Sequence, residues 1–486
     1  MAETIQRNFA AFTPEEVIEA TGGYASDEVL PEEDIDATDA PPVYNQSLGV
    51  VIDSRQYCNG ALFVALRGDH FDGHDFVTKA AQDLALVAVV DHVVNVRWPS
   101  GYRIYQLVVE DTLIALGDLA RYHRNRFKIP VIGITGSYGK TSTRALLDAA
   151  LSSKFVTLAS QANFNNEIGV PMTLFQLDES HEAAIIEMGM RGRGQIEYLA
   201  RVAEPSIGLI TNIGPQHIEL LGSLDEIALA KAELLEALPK GGLAVLPFDS
   251  PFFELLRSKA KCRVVTFGTK EGADYRVTQV QVSPDGGVEF SAEFGIGKSQ
   301  PFVLRLPGVH NAVNASAAFA VAHQLGVEPA DIALALESAE LPGARMRVVK
   351  TPLGATLIDD CYNAGPDSMR AALQTLLDFP GSGRRVAILG DMKELGEFSE
   401  AEHRKIGEFA GQFVELLIGV GSETRPLLNT AIRSASEVEN EMEMHWFETA
   451  QEAREVKAMI QEDDVVLIKG SRSVGLEAVV EGLTSG

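Results

Sequence analysis

The stretch VIGITGSYGKTST, residues 131–143, decides how the centre of the chain folds. Residues 131–134 are mostly apolar and β-branched, which is the pattern of a buried strand, and residues 144–151 favour a helix. Between them, Gly136 and Gly139 let backbone N–H groups approach an anion at the start of that helix. A strand, a glycine-containing turn, Lys-Thr and a helix together predict a phosphate-binding loop.

Each side chain of this loop has an expected role. Lys140 would reach the terminal phosphates of a nucleotide, and the Thr141 hydroxyl would bind Mg²⁺. The strict phosphate-loop spacing is not met, because Ile134 stands where its first glycine is usual. A lone glycine turn before a helix is often only a tight connection, but the attached Gly-Lys-Thr-Ser favours nucleotide binding. We expect the nucleotide-binding residues to be Gly136, Ser137, Gly139, Lys140, Thr141 and Ser142.

Length and composition limit the class of protein. At 486 residues the chain is too long for one hydrophobic core, and roughly 150 residues per domain suggests about three domains. A formal net charge of −27 argues against nucleic-acid partners and anionic membrane surfaces, whose phosphates would be repelled. Three scattered cysteines indicate no disulfide framework or zinc motif, and no apolar run approaches the roughly 20 residues of a membrane span. We expect a cytoplasmic protein without membrane insertion.

The pattern along the chain predicts an α/β protein with three domains. Residues 1–128 read as a small α/β domain, with an acidic, Pro-rich stretch at 31–42 that we interpret as a solvated loop or an insertion. Residues 129–343 alternate strands and helices, the signature of a parallel sheet, and then carry three antiparallel strands between 276 and 306. Residues 344–486 alternate again and predict a second, Rossmann-like sheet.

Polar residues that directly follow strands are the candidates for chemistry, because ligands of open α/β sheets gather at the carboxyl ends of strands. Glu187 ends an apolar run and would suit a hard Mg²⁺ ion, although it could instead cap the next turn. His217 lies in a polar turn after the strand at 207–211, where a lone histidine is more often a packing residue. Lys231 sits among alanines on a predicted helix, where a lysine is usually solvated. Asn311 could read a base edge or cap a helix.

The C-terminal sheet has three polar turns at strand ends: IDDCYNAGPDSM at 358–369, GDMKELG at 390–396 and IKGSR at 468–472. One such turn alone would mean little. Three at one sheet predict a second functional face.

These motifs together resemble those of the Mur ligases, the ATP-dependent ligases of peptidoglycan precursor synthesis. The resemblance covers nearly the whole chain: residues 53–55 and FVALRGDHFDGHDF at 63–76 in the first domain, and the three turns above in the last. In the centre it is carried by TGSYGKTS, ANFNNEIGVP at 162–171, EMGM, TNIGPQHIE and LAKAE. NNEIGVP and GDMKELG resemble the branch that joins D-alanyl-D-alanine to a UDP-N-acetylmuramoyl-tripeptide.

The resemblance implies a mechanism and its residues. The peptide carboxylate attacks the γ-phosphate of ATP to give an acyl phosphate, and the amine of the dipeptide then displaces phosphate. Lys140, His217 and Lys231 would be catalytic. Thr141 and Glu187 would hold one Mg²⁺, and His217 with a carbamylated Lys231 would hold a second. The remaining contacts implied for ATP are Asn311, Arg345 and Asp360.

The resemblance also implies where the substrates bind. The UDP-sugar peptide would contact Ser54 and Arg55 in the first domain and the arm formed by Asn165, Asn166 and Glu167. The closing C-terminal domain would present Tyr362, Asn363 and Lys469. A monomer is expected. Two kinds of rival remain open: another ligase of this architecture, either amino-acid-adding or folylpolyglutamate-like, and a nucleotide-binding relative without catalysis. The sequence leaves open whether the tripeptide ends in lysine or diaminopimelate.

Overall fold

The structure is a computed structural model and describes residues 8, 10–26, 46–96, 104–161 and 163–485. The acidic stretch at 31–42 lies outside these residues. The chain divides into two compact units. Unit 1 comprises Met1–Gly133, Val156–Met188 and Glu197–Pro205, and unit 2 comprises Ile134–Phe155, Gly189–Ile196 and Ser206–Gly486. None of the helices in the described ranges combines the length and the apolar content that a membrane crossing needs.

The described residues before 129 form a five-stranded sheet with order β1-β5-β4-β3-β2. Only the β1–β5 pair is antiparallel, as expected for a small α/β layer whose strands are joined by helical crossovers. Asp111 starts the helix that leads out of this layer, because its carboxylate accepts the N–H groups of Leu113 and Ile114. The elements are α1 Pro14–Thr21, β1 Tyr24–Ala25, β2 Val50–Val51, β3 Leu62–Val64, α2 Val77–Gln82, β4 Val87–Val90, β5 Tyr105–Val108 and α3 Thr112–Arg124.

The central residues form a nine-stranded sheet with order β14-β13-β12-β11-β10-β9-β6-β8-β7, and the boundary between the two units passes through β6. The predicted strands at 131–134, 184–187, 207–211 and 243–246 are confirmed. The strands are β6 Val131–Thr135, β7 Thr157–Ala159, β8 Ala183–Glu187, β9 Ile207–Ile210, β10 Leu243–Pro247, β11 Arg263–Gly268, β12 Tyr275–Val282, β13 Val288–Phe294 and β14 Lys298–Leu304. The helices are α4 Lys140–Ser152, α5 Gly169–Leu174, α6 Gln195–Ala203, α7 Ile218–Leu221, α8 Leu224–Ala237, α9 Phe253–Lys259, α10 His310–Gln324 and α11 Pro329–Glu337.

Strands β12, β13 and β14 pair antiparallel, as the alternating pattern between 276 and 306 predicts. The sequence Ser-Leu-Asp-Glu at 223–226 has the spacing of a capping box at the start of α8, but the box is only half formed. The Ser223 hydroxyl accepts the N–H of Glu226, but the Glu226 side chain pairs with Arg193 instead of returning to the N-cap backbone.

The C-terminal residues form a six-stranded sheet with order β15-β16-β20-β17-β18-β19, in which only the β15–β16 pair is antiparallel. The α/β fold with three sheets is thereby confirmed, while the domain boundaries at 128/129 and 343/344 stay a prediction. The strands are β15 Arg347–Lys350, β16 Thr356–Asp359, β17 Arg385–Gly390, β18 Leu416–Val420, β19 Glu443–Phe447 and β20 Val465–Lys469. The helices are α12 Pro366–Asp378, α13 Ser399–Gly411, α14 Arg425–Glu437 and α15 Glu477–Thr484.

Candidate active site

The predicted phosphate loop joins β6 to α4, and its two glycines are required by geometry. Gly139 is the N-cap of α4 with φ 76°, a left-handed conformation that favours glycine. A Cβ on Gly136 would lie 1.9 Å from the Thr211 hydroxyl, so no side chain fits there. The Lys140 ammonium donates to the carbonyl oxygens of Gly136 at 2.7 Å and Ser137 at 3.1 Å. The backbone carbonyls of the phosphate loop therefore hold the Lys140 ammonium at the start of α4.

A second polar loop, residues 211–214 after β9, supports the phosphate loop. The Ser137 hydroxyl and the backbone of Gly214 exchange two hydrogen bonds of 2.9 Å. Asn212 is bonded twice to the backbone of Tyr138, accepting its N–H at 3.0 Å and donating to its carbonyl at 2.8 Å. The TNIGPQH turn therefore lies against the phosphate loop, as expected for polar turns at neighbouring strand ends.

His217 begins α7 beside this pair of loops. Its φ is 60°, an uncommon value for a residue with a side chain. Its Nδ1 lies 2.6 Å from Oε2 of Glu394. Burial lowers the pKa of His217 to about 4, against the opposing effect of Glu394, and the charges of Lys140 and Lys231 add to the lowering. This histidine is therefore neutral at physiological pH.

Lys231 lies on the buried face of α8 and is only 2 % exposed, which excludes a solvated surface lysine. Among the described residues its ammonium has no hydrogen bond and no ion pair. Burial lowers the pKa of Lys231 well below its usual range, and the nearby charge of Lys140 lowers it further. Lys140, His217 and Lys231 all belong to unit 2, and the charge of Lys140 acts on both of the other residues.

Glu187 and its neighbours belong to unit 1. Glu187 ends β8, is 2 % exposed and accepts a 2.9 Å hydrogen bond from the Asn165 side chain. Asn166 has a local role, because its side-chain oxygen accepts the N–H of Gly169 at the start of α5. Glu167 is half-buried next to it. Two of the three residues of the predicted substrate arm thus have identified partners, and Asn165 contacts a predicted metal ligand directly.

In the turn that follows β2 in unit 1, Ser54 is buried, whereas the Arg55 side chain is 83 % exposed. Arg55 binds Asp53 in a two-point contact at 2.9 and 2.6 Å. The guanidinium is available at the surface, and the role of both residues in substrate binding stays a prediction.

The C-terminal sheet brings its predicted residues together. Lys469 donates to Asp360 at 2.5 Å and to the carbonyl of Asn363 at 2.9 Å. Lys469 belongs to the predicted polar turn at 468–472, and its two partners belong to the one at 358–369. Burial raises the pKa of Asp360, while the ammonium of Lys469 opposes the rise. The Arg345 guanidinium lies 3.7 Å from the centre of the Tyr362 ring.

Asn311 does not cap α10, because the N-cap of that helix is Val309 and no side-chain cap hydrogen bond forms there. Asn311 is fully buried, donates to the carbonyl of Pro307 at 2.8 Å and accepts from Asn314 at 3.1 Å. Both ends of its amide are therefore occupied within the protein. Its contact with the base of ATP stays a prediction.

Two acidic residues of the site were not predicted as site residues. Glu394 and Asp367 lie in the GDMKELG and IDDCYNAGPDSM turns, which the sequence marks as functional without assigning these carboxylates. Only the fold brings Glu394 to His217 and Asp367 to Gly214.

Comparison with known proteins accounts for most of the chain. Residues 48–124, 134–322 and 344–472 match family profiles described as "Mur ligase family, catalytic domain", "Mur ligase middle domain" and "Mur ligase, glutamate ligase domain". The chain is 34 % identical to the UDP-N-acetylmuramoyl-tripeptide–D-alanyl-D-alanine ligase of Bacillus subtilis, over 92 % of this chain and 96 % of that protein.

Solved structures agree with this assignment. A crystal structure of MurF from Acinetobacter baumannii is 32 % identical, covers 99 % of this chain and 100 % of its own, and has a TM-score of 0.86. MurF from Thermotoga maritima in complex with ADP is 26 % identical, with coverage of 90 % and 96 % and a TM-score of 0.78. With these relatives and the phosphate-loop geometry above, the chain belongs to the Mur ligase family.

Proposed function

We propose that this protein is the ATP-dependent, ADP-forming ligase that joins D-alanyl-D-alanine to UDP-N-acetylmuramoyl-tripeptide in peptidoglycan precursor synthesis. The observation that carries the proposal is the phosphate loop with Lys140 bonded to its carbonyls and the buried Lys231 in the same unit, in a chain 34 % identical to a ligase of that name. The tripeptide carboxylate attacks the γ-phosphate of ATP, ADP leaves, and an acyl phosphate forms. The dipeptide amine then displaces phosphate and an amide remains.

Lys140 stabilises the charge that gathers on the transferred phosphoryl group. Its ammonium lies among loop carbonyls at the start of α4, where the N-terminal end of the helix dipole adds positive potential. Phosphoryl transfer depends chiefly on such positioning and electrostatic stabilisation.

Two Mg²⁺ ions fit the chemistry of the predicted donors. Thr141 and Glu187 would hold the first, and His217 with Lys231 would hold the second. Lys231 is a ligand only as a carbamate, because an ammonium has no lone pair and would be repelled by the metal. The buried, unpaired and electrostatically destabilised amine of Lys231 is the form that reacts with CO₂. The ions would neutralise charge on the phosphates and on the acyl phosphate.

The other predicted contacts complete the proposal. Arg345 and Asp360 would bind the phosphate and ribose portions of ATP, and Asn311 the adenine. Ser54 and Arg55 would bind the UDP-sugar end of the substrate. The peptide end of the substrate would lie near two groups of residues. One is the arm formed by Asn165, Asn166 and Glu167, and the other is the set Tyr362, Asn363 and Lys469 of the C-terminal domain.

We also propose that the enzyme acts in the cytoplasm as a monomer with domains 1–128, 129–343 and 344–486. Light scattering coupled to size exclusion tests the monomer, and limited proteolysis tests the domain boundaries.

The decisive experiment is mass spectrometry of the products formed with UDP-N-acetylmuramoyl-tripeptide, D-alanyl-D-alanine, ATP and Mg²⁺. The expected products are ADP, phosphate and the UDP-N-acetylmuramoyl-pentapeptide. Tripeptides ending in lysine and in diaminopimelate are compared, together with single amino acids and a folate acceptor. Product with a single amino acid or a folate, and none with the dipeptide, would refute the proposal in favour of another ligase. No product with any acceptor would favour a relative without catalysis.

A further inference from the structure

Asp367 is the second residue of α12, and its carboxylate lies against the loop that supports the phosphate loop. A Cβ placed on Gly214 would lie 2.3 Å from Oδ2 of Asp367 and 3.1 Å from the Tyr138 ring. The carboxylate and the ring therefore both lie next to Gly214. Tyr138 belongs to the phosphate loop, so α12 brings a negative charge to the place where phosphates are expected.

The side chain of Asp367 has no compensating partner. Among the described residues it has no hydrogen bond and no ion pair, although it is half-buried. The charged and titratable groups that act on it are Tyr138 in the phosphate loop, Arg370 on its own helix, and Glu402 and Lys405 on α13. Burial and Glu402 raise the pKa of Asp367, and the two cations oppose the rise.

An unpaired carboxylate next to bound phosphates is unfavourable unless a cation joins it. Under the proposed function, one reactant arrives as a cation and must lose a proton before it reacts: the α-ammonium of D-alanyl-D-alanine, with an ordinary pKa of about 8. Lys140 is committed to the phosphates. Among the described groups next to Gly214, Asp367 is the carboxylate that could meet the arriving ammonium.

We propose that Asp367 binds the ammonium group of the incoming dipeptide and accepts its proton. This inference rests on the proposed function. The ammonium passes one proton to the carboxylate, and the freed lone pair attacks the acyl carbon to form the C–N bond. The C–O bond to phosphate breaks, phosphate leaves with the bonding electrons, and the second proton leaves the nitrogen with the departing phosphate.

The alternative is that Asp367 only stabilises the start of α12, where a negative charge is favourable. A structural role predicts that substitution of Asp367 lowers the rates of all partial reactions equally. If Asp367 instead binds the ammonium group and accepts its proton, substitution lowers only the rates of reactions with a protonated amine.

The test compares Asp367→Asn with Asp378→Asn, the same substitution at the other end of α12, where Asp378 accepts hydrogen bonds from Gln374. Each enzyme is given UDP-substrate, ATP and Mg²⁺ with either the dipeptide or hydroxylamine, which is uncharged at neutral pH and traps the acyl phosphate. We expect Asp367→Asn to lose about 10²-fold or more in amide formation, the usual scale for a lost general base, and to form the hydroxamate at the wild-type rate. The deficit should shrink about tenfold per pH unit as the pH approaches the pKa of the dipeptide ammonium.

Three results would overturn the inference: normal amide formation by Asp367→Asn, equal loss of amide and hydroxamate, or an equal defect in Asp378→Asn. The wild type separates this failure from failure of the proposed function. If the wild type prefers another amine acceptor, the dipeptide assignment falls and the same comparison is made with that acceptor. If it uses no amine, both proposals fall.

Discussion

Nδ1 of His217 lies 2.6 Å from Oε2 of Glu394, and both residues have left-handed backbone conformations, with φ of 60° and 63°. Such conformations cost of order 1–3 kcal/mol each and persist where the surrounding structure imposes them. The pair joins the turn after β9 to the turn after β17. Two residues further along each segment, Gly396 packs against the side chain of Glu219. The two segments therefore touch at two places.

We expect Glu394→Ala to weaken closure of the C-terminal domain over the centre, about a joint near residues 342–343. Glu394 is 43 % exposed, so the pair is worth about 1 kcal/mol at most, and kcat/KM should fall about fivefold. Solution scattering with an ATP analogue and UDP-substrate should show compaction of the wild type and less of it in the variant. Glu397→Ala, an exposed acid in the next turn, is the control. Identical scattering of the wild type in all ligand states would contradict closure.

Lys140→Ala should reduce turnover by about 10²–10³-fold, because one electrostatic donor to the transition state is lost. The fold should persist, since the contacts of the Lys140 ammonium with the carbonyls of Gly136 and Ser137 lie within one loop. The matched control is Lys154→Ala, an exposed lysine just beyond the end of α4 that donates to the carbonyl of Gly326. Steady-state phosphate release measures both. Near-normal activity of Lys140→Ala would remove the phosphate-loop assignment.

Lys231→Ala should lose most of its activity, and acetate or formate should restore part of it by supplying carboxylate oxygens to the metal. Removing bicarbonate should also slow the wild type if the carbamate exchanges during the assay. Lys240→Ala, an exposed lysine shortly after the same helix, should behave as wild type. Normal turnover of Lys231→Ala at ordinary Mg²⁺ would rule out the carbamate.

Acid should destabilise unit 1 through His123, whose Nε2–H donates to the carbonyl of Leu177. Burial lowers the pKa of His123 from 6.5 to about 4. Between these values the unfolded chain binds a proton that the folded chain excludes, so stability is lost as the pH falls from 6.5 to about 4. The loss is about 3 kcal/mol.

Thermal unfolding against pH measures this effect in His123→Gln, which keeps a donor but does not titrate. The difference in unfolding temperature between His123→Gln and the wild type should change between pH 6.5 and 4 and stay constant above pH 6.5. A flat difference for His123→Gln over the whole pH range would disprove the prediction.

Gly286→Ala should destabilise unit 2, because a Cβ there would lie 2.3 Å from the ring of Phe379, which is buried. Gly286 has φ of 89°, so the backbone cost must be separated from the clash. Gly295→Ala provides that control, because Gly295 has φ of 58° and nothing within 4 Å of its Cβ position. We expect Gly286→Ala to cost about 1–3 kcal/mol more than Gly295→Ala in denaturant unfolding. Equal losses of unfolding free energy in the two variants would contradict the prediction and mean that the Phe379 ring moves aside at no cost.

The sequence predicted the regular elements well where the apolar pattern is strong. Four buried strands of the central parallel sheet, the parallel strands of the C-terminal sheet and the three antiparallel strands were found, because period and β-branching are local properties. In the central and C-terminal sheets, the strands β7, Thr157–Ala159, and β11, Arg263–Gly268, and the exposed edge strand β15, Arg347–Lys350, were missed. The pattern of β15 has no buried face, so only its pairing with β16 defines it as a strand.

By itself, the sequence determined the phosphate loop, the family and the polar turns at strand ends, since these depend on residue types at short spacing. Tertiary structure alone decided which side chains meet. Lys231 reads as a surface lysine until α8 packs and buries it beside Lys140, and Glu394 and Asp367 have no evident role until their turns reach His217 and Gly214. Burial and contact between residues far apart in the chain set these charges and pKa values, and neither property is local to the sequence.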